Sequence, residues 1–162
     1  MPPVSPPQRG MQPSILDRLL DPESAGTAIM TGYTVEKMAQ VVRRDLEELL
    51  NTMHPYHSFP DAFPETRESI VTYGLPDLAS IESVSATQRA AISGLIRRAV
   101  ERFEPRLKNV KVTVLSTDPD TIRGSVKFRV NARLAVDPAP EVAFDTILDV
   151  GTGKYDVKRV GG

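Results

Sequence analysis

The fold class of this protein is decided by residues 121–136, which read TIRGSVKFRVNARLAV. Apolar or small side chains occupy the even positions of this stretch, and polar or charged side chains occupy all but the last of the odd ones. Alternation with a period of two is typical of a strand that buries one face and exposes the other. The stretch therefore predicts one long strand with a buried face and a solvated face.

Shorter strands are predicted on both sides of this long strand. Residues 110–115 alternate in the same way before it, and residues 142–148 and 155–157 indicate two further strands after it. With a hairpin at residues 116–120, we expect the preceding strand to pair with only the first half of the long strand, and the strand after Pro140 to pair mainly with the second half. Unpaired backbone groups on each flank are templates for a strand of another chain. The alternative is that the helices or the N-terminal segment cover these edges.

Two main helices are predicted ahead of the strands. Apolar residues recur at helical spacing over residues 35–51 and again over residues 87–103. Pro105 prevents the second helix from continuing. Both helices therefore have an apolar face that can cover the sheet.

Short helical segments complete the pattern. A capping-box-like start at Ser14 predicts a short amphipathic helix, residues 67–73 predict two helical turns that end at Gly74, and residues 75–77 predict one more turn. Helices followed by strands indicate an α+β fold. We expect a C-terminal antiparallel β-meander of three to four strands, packed against the two main helices plus the short ones.

Length, composition and charge limit the class of protein. The chain has 162 residues, no Cys, and 20 basic against 21 acidic residues. We expect residues 1–13, which are rich in proline, to form a flexible arm and residues 14–162 to form a single domain. The near-neutral charge argues against a nucleic-acid partner, and the lack of an apolar run of about 20 residues argues against membrane insertion. Without Cys or a recognisable secretory signal, a cytoplasmic location is expected.

Signals for a metal site or for common catalytic motifs are weak. His54 and His57 have a spacing that metal ligands can use, but zinc sites need about three or four protein ligands, and the chain has no Cys and no third His. We therefore expect no metal and no cofactor. Residues 151–154, GTGK, lack the spacing of a phosphate-binding loop and predict a turn.

The segment Glu104-Pro105-Arg106-Leu107 follows the second main helix. Because Pro105 forces Glu104 towards an extended conformation, the side chains of Glu104 and Arg106 are expected on the same side of the chain. There they form an ion pair or a two-sided polar hook. One interpretation is a helix-terminating turn that this ion pair holds in place.

A catalytic role for Glu104 is the competing hypothesis, namely a muramidase-type peptidoglycan hydrolase. Glycoside hydrolysis needs a second carboxylate about 5 to 9.5 Å away. Asp45, Asp145 and Asp149 are candidates that spacing alone does not separate. Because the chain has no Trp to stack on a sugar ring, the sequence disfavours an enzyme.

Basic side chains line the solvated face of the long strand. They are Arg123, Lys127, Arg129 and Arg133. Such a stripe commonly serves solubility and protects the sheet from aggregation. The alternative is that it orients an acidic protein partner and sets the register of association.

Four blocks of the sequence, in order, resemble one protein family. They are DLEELLNT (residues 45–52), SIVTYGLPD (69–77), FEPRL (103–107) and VAFDT (142–146). The chain resembles the baseplate wedge family of contractile tails over about residues 14–160. This family is often labelled "lysozyme-like" and includes the TssE component of type VI secretion.

The resemblance implies a structural protein rather than a hydrolase. Members connect the baseplate wedge subunits, which are TssF, TssG and TssK in type VI secretion, to the first ring of the sheath proteins TssB and TssC, with the spike VgrG as a further partner. Their sheet is similar to the interlocking domain of the sheath proteins, which accepts strands from neighbours. The resemblance also implies that Glu104, Pro105, Arg106 and Leu107 serve this assembly. On this reading Arg106→Ala leaves the isolated domain folded but abolishes sheath assembly.

Overall fold

The computed structural model describes residues 17, 19, 33–54, 63–67, 69–77, 85–115 and 125–160. In chain order the elements are α1 (Val35–Asn51), β1 (Met53–His54), α2 (Pro64–Arg67), a 3₁₀ turn (Ile70–Thr72), β2 (Leu75–Pro76), α3 (Ala86–Phe103), β3 (Leu107–Val114), β4 (Ser125–Leu134), β5 (Glu141–Asp149) and β6 (Lys154–Arg159). β3 to β6 form an antiparallel four-stranded meander in sequence order. The predicted α+β fold is confirmed.

Both main helices begin at capping residues. The hydroxyl of Thr34 accepts a hydrogen bond from the Lys37 N–H at 3.2 Å and starts α1. Ser85 and Gln88 form a reciprocal capping box that starts α3. Pro105 lies two residues beyond the end of α3, as expected from its missing N–H. The predicted helices agree with α1 at both ends and with α3 to within one residue.

The core lies between these helices and one face of the meander. The even positions of β4 and β5 point into it, with Phe128 and Phe144 fully buried at its centre. α1 packs along β6, and α3 packs along β3. Because the helices cover this face, the odd positions of β4 and β5 lie on the solvated face.

The predicted pairing of the long strand was wrong. β3 pairs with the second half of the long stretch, where Leu107 lies opposite Leu134 and Val114 lies opposite Phe128. β5 pairs with the whole described strand, from Ser125 to Arg133. The reason is that the turn after α3 lies beside the end of β4, where the Ala135 N–H bonds to the Arg106 carbonyl oxygen. Because β3 starts directly after this turn, it pairs with β4 from that end. The edge strands of the sheet are therefore β3 and β6, and β4 lies between β3 and β5.

The predicted helical turns between α1 and α3 were also wrong in part. Residues 67–73 do not form one helix but the end of α2 and a separate 3₁₀ turn. Leu75–Pro76 is a short strand that pairs in parallel with Met53–His54. Gly74 has φ +105°, and a Cβ there would lie 2.1 Å from the Thr52 carbonyl oxygen. Glycine at this position therefore lets residues 75–76 lie close enough to the end of α1 to pair as a strand.

Several predicted features lie outside the described residues. They are the arm at residues 1–13, His57, Arg123, and the short helix after Ser14 except for Asp17 and Leu19, which are both helical. In the part of the chain that the structure describes, no helix has the length and apolar character needed to cross a membrane.

Candidate functional site

The Glu104–Arg106 corner joins α3 to β3. Glu104 ends the helix, with its N–H bonded to the Val100 carbonyl oxygen at 2.9 Å, and it is only 4% exposed. Arg106 donates from Nε to Glu104 Oε1 at 2.6 Å and from Nη2 to Glu104 Oε2. The predicted ion pair is confirmed, and both carboxylate oxygens are occupied by one guanidinium.

The same guanidinium also reaches α1. Arg106 Nη2 donates to Asp45 Oδ2 at 2.6 Å, and the other oxygen of Asp45 accepts from Arg44 Nη2 at 2.7 Å. Arg44 Nη1 in turn donates to Asp17 Oδ1 at 2.7 Å. We call Asp17, Arg44, Asp45, Glu104 and Arg106 the corner network. It ties the end of α3 to the middle of α1 and to Asp17.

Neighbouring carboxylates keep both arginines of the corner network charged. Burial lowers the pKa of Arg106, but the hydrogen bonds and negative charge of Glu104, followed by those of Asp45, outweigh it and raise the pKa above its ordinary value. The hydrogen bond to Asp17 is the largest cause of the raised pKa of Arg44, and Asp45 adds to it against the effect of burial. Both guanidinium groups therefore remain charged over the ordinary pH range.

The environment of Glu104 differs from that of a general acid. Such an acid holds a proton and faces a sugar-sized cleft, whereas Glu104 is buried and accepts from Arg106 with both oxygens. Of the three candidate second carboxylates, Asp45 shares this guanidinium and Asp145 pairs with Arg129. Asp149 accepts from the Thr152 N–H in a turn at 2.9 Å. The described ranges contain no group of three or more acidic or histidine side chains arranged to hold a metal.

The basic stripe lies on the solvated face of β4, but acidic residues of β5 stand beside it. Arg129 Nε pairs with Asp145 at 2.7 Å, and Arg133 pairs with Glu141 at 2.8 Å. Within the described ranges, Lys127 is the remaining cation of the stripe and has no acidic partner. Cross-strand register brings these charges together, so the sequence of β4 alone could not show the pairing.

The two edges of the meander differ in how they are covered. In β3, Lys111 and Thr113 face β4, so the backbone N–H and C=O of Val112 and Val114 point away from the sheet. Among the described residues, nothing bonds to these outward groups. In β6 the outward backbone groups of Tyr155 are bonded by Asn51 of α1. This difference between the two edges could not be predicted without the pairing pattern of the strands.

Within the part of the chain that the structure describes, the β3 edge is free, and an exposed sheet edge is a template for a strand of another chain. The model of the family described as baseplate wedge protein gp25 matches residues 36–139, and the chain belongs to this family. The matched region runs from α1 to the turn after β4 and contains the Glu104–Arg106 corner. Searches among curated proteins and among solved structures find no significant match. The resemblance read from the sequence is therefore confirmed, and it supports a structural role in the baseplate of a phage-like machine.

Proposed function

We propose that this protein is the TssE-like subunit of a type VI secretion baseplate in the cytoplasm. It links the wedge subunits TssF, TssG and TssK to the first ring of TssB and TssC, close to the spike VgrG, and it nucleates polymerisation of the sheath. Membership of the baseplate wedge family supports the structural part of this proposal. Residues 14–162 act as one domain, and residues 1–13 act as an arm.

The attachment is by β-augmentation, and the free edge of β3 is the observation that carries it. The outward backbone groups of Val112 and Val114 are unbonded within the described residues, so an extended segment of a sheath subunit can pair with them. The side chains of Val112 and Val114 pack partly against the core, whereas Lys111 is exposed on the other face. This edge suits a strand that places apolar residues on the helix side.

The corner positions this edge. The Arg106 carbonyl oxygen accepts from the Ala135 N–H at 2.8 Å, and β3 starts at the next residue, Leu107. Pro105 is exposed at the tip of the turn. We assign Glu104 and Arg106 to holding the turn, Leu107 to anchoring it in the core, and exposed Pro105 to contacting a wedge partner. On the solvated face, Lys127, Arg129 and Arg133 set the register of the partner. Arg123, which lies outside the described residues, is assigned the same role from the sequence.

The same corner supports a non-enzymatic role for Glu104. A carboxylate whose two oxygens both accept from a guanidinium is poorly suited to deliver a proton to a glycosidic oxygen. Glu104 therefore stabilises the structure and does not act as a muramidase acid.

The test is to remove one outward donor from the β3 edge without touching the ladder to β4. Val112→Pro removes an N–H that makes no bond within the described sheet, and proline is tolerated at such edge positions. Val112→Ala is the matched control because it shortens the side chain but keeps the N–H. We expect Val112→Pro to recruit purified TssB–TssC at least about tenfold more weakly than Val112→Ala, since a pairing bond is lost and the ring clashes with the added strand.

Circular dichroism and thermal melting of both variants establish that each is folded. Equal recruitment of sheath by folded Val112→Pro and Val112→Ala would show that the β3 edge does not receive the sheath strand.

A further inference from the structure

The side chain of Asn51 makes the hydrogen bonds that a neighbouring strand would make at the outer edge of β6. Asn51 is the last residue of α1, and its Nδ2 donates to the Tyr155 carbonyl oxygen at 2.8 Å while its Oδ1 accepts from the Tyr155 N–H at 2.9 Å. Nδ2 also donates to the Glu47 carbonyl oxygen at 2.9 Å. One carboxamide thus supplies the donor and the acceptor that the peptide groups of a neighbouring strand would supply.

A second side chain of α1 extends this cover. Because Lys154, Asp156 and Lys158 lie in bonded positions with β5, the backbone groups of Tyr155 and Val157 point outward. Arg43 Nη1 donates to the Val157 carbonyl oxygen at 3.1 Å. Three of the four outward groups of Tyr155 and Val157 are therefore bonded to α1.

The contrast between the two edges has a consequence for assembly. A sheet with two open edges can add copies head to tail without closing, which generates filaments. A sheet with one open edge can receive a single strand. The described β3 edge has unbonded groups at Val112 and Val114, while α1 bonds to three of the four outward groups of Tyr155 and Val157 in β6.

We propose that Asn51 closes the β6 edge and so makes this subunit a one-sided acceptor, which starts a polymer but does not itself repeat. The occupant that Asn51 excludes is the β3 edge of a second copy of this chain. The one-sided role rests on the proposed function, but the exclusion of self-pairing is a property of the chain alone.

The experiment therefore uses the purified full chain without any partner. Asn51→Ala removes the donor and the acceptor, and Asn131→Ala is the control because it makes the same change on the solvated face of β4. For Asn51→Ala we expect amide hydrogen exchange at Tyr155 to rise roughly tenfold. We also expect the mass from sedimentation velocity to grow with concentration beyond a dimer. We expect the wild type and Asn131→Ala to remain no larger than a dimer.

Adding Val112→Pro to Asn51→Ala tests which edges meet. The double variant should return to the size of the wild type, because the β3 edge no longer pairs. Persistence of large species in the double variant would contradict β3-to-β6 pairing. If Asn51→Ala is folded and exchanges faster at Tyr155 but does not grow in size, the bulk of α1 closes the edge and the proposal fails.

If Asn51→Ala does not fold, Asn51→Asp is the variant that tests the proposal. The aspartate retains the acceptor for the Tyr155 N–H but loses the donor to its carbonyl oxygen. Growth in size of Asn51→Asp supports the proposal, and a folded variant that keeps the wild-type size contradicts it. None of these outcomes depends on sheath recruitment, so the proposal can fail while the proposed function stands.

Discussion

Removal of Arg106 should weaken the fold itself as well as any contact with partners. Arg106→Ala takes away the guanidinium that occupies both oxygens of Glu104, whose side chain is 5% exposed. Asp45 is less affected because it keeps two hydrogen bonds from Arg44. The variant therefore leaves one buried carboxylate without a cation.

The size of the effect follows from the hydrogen bonds that are lost. Of the three side-chain hydrogen bonds that are lost, the two to buried Glu104 contribute about 1.5 kcal/mol each at the low end of the range, which gives about 3 kcal/mol. The third bond, to Asp45, adds less because Asp45 keeps its bonds from Arg44. Removal of one partner from a buried ion pair costs about 3 to 5 kcal/mol in other proteins. Because domains of this size are stable by about 5 to 15 kcal/mol, we expect Arg106→Ala to fold but to lose about 3 kcal/mol.

Urea unfolding of four proteins measures this effect: the wild type, Arg106→Ala, Glu104→Gln, and the double variant. Glu104→Gln removes the buried charge, so the double variant should be more stable than Arg106→Ala alone. A free energy of unfolding for Arg106→Ala within about 0.5 kcal/mol of the wild type would refute this reasoning. The corner would then act only through external contacts, and loss of sheath assembly in cells could be assigned to a partner.

Two further changes test the local structure. Gly74→Ala should lower stability by about 1 to 3 kcal/mol or more, because φ is +105° and the new Cβ meets the Thr52 carbonyl oxygen. Gly94→Ala, within α3, should raise stability by about 0.5 to 1 kcal/mol. Thermal melting compares the two variants. Burial raises the pKa of the Tyr155 hydroxyl, so stability is fully present below about pH 10 and falls as the pH rises above it. Because no described residue bonds to this buried hydroxyl, Tyr155→Phe should keep its stability in urea unfolding at about pH 11. An equal loss of stability at alkaline pH in both proteins would contradict the assignment.

The main elements of the fold could be predicted because burial is periodic along the chain. The helical spacing over residues 35–51 and 87–103 and the alternation within β4 each report which side of an element faces the core. The ion pair of Glu104 and Arg106 could also be predicted, because the two residues are close in sequence and Pro105 sets the backbone geometry between them.

Contacts between distant residues could not be predicted in the same way. Periodicity does not say which strand half is paired, so the register of β3 against β4 was assigned to the wrong half. The parallel pairing of Leu75–Pro76 with Met53–His54 was likewise missed, because it depends on where the end of α1 lies.

The sequence by itself determined the α+β class, the two main helices, the four strands and the charged turn after α3. Only the tertiary structure decided that Asp45 joins this turn to α1 and that acidic residues of β5 pair with the arginines of β4. It also decided that Asn51 bonds to the β6 edge, while no described residue bonds to the outward groups of Val112 and Val114 in β3. The physical reason is that a residue pattern encodes whether a side chain is buried, whereas its partner is chosen by strand register and helix packing. Asn51 and Tyr155 are 104 residues apart in the chain, and the shared core brings them into contact.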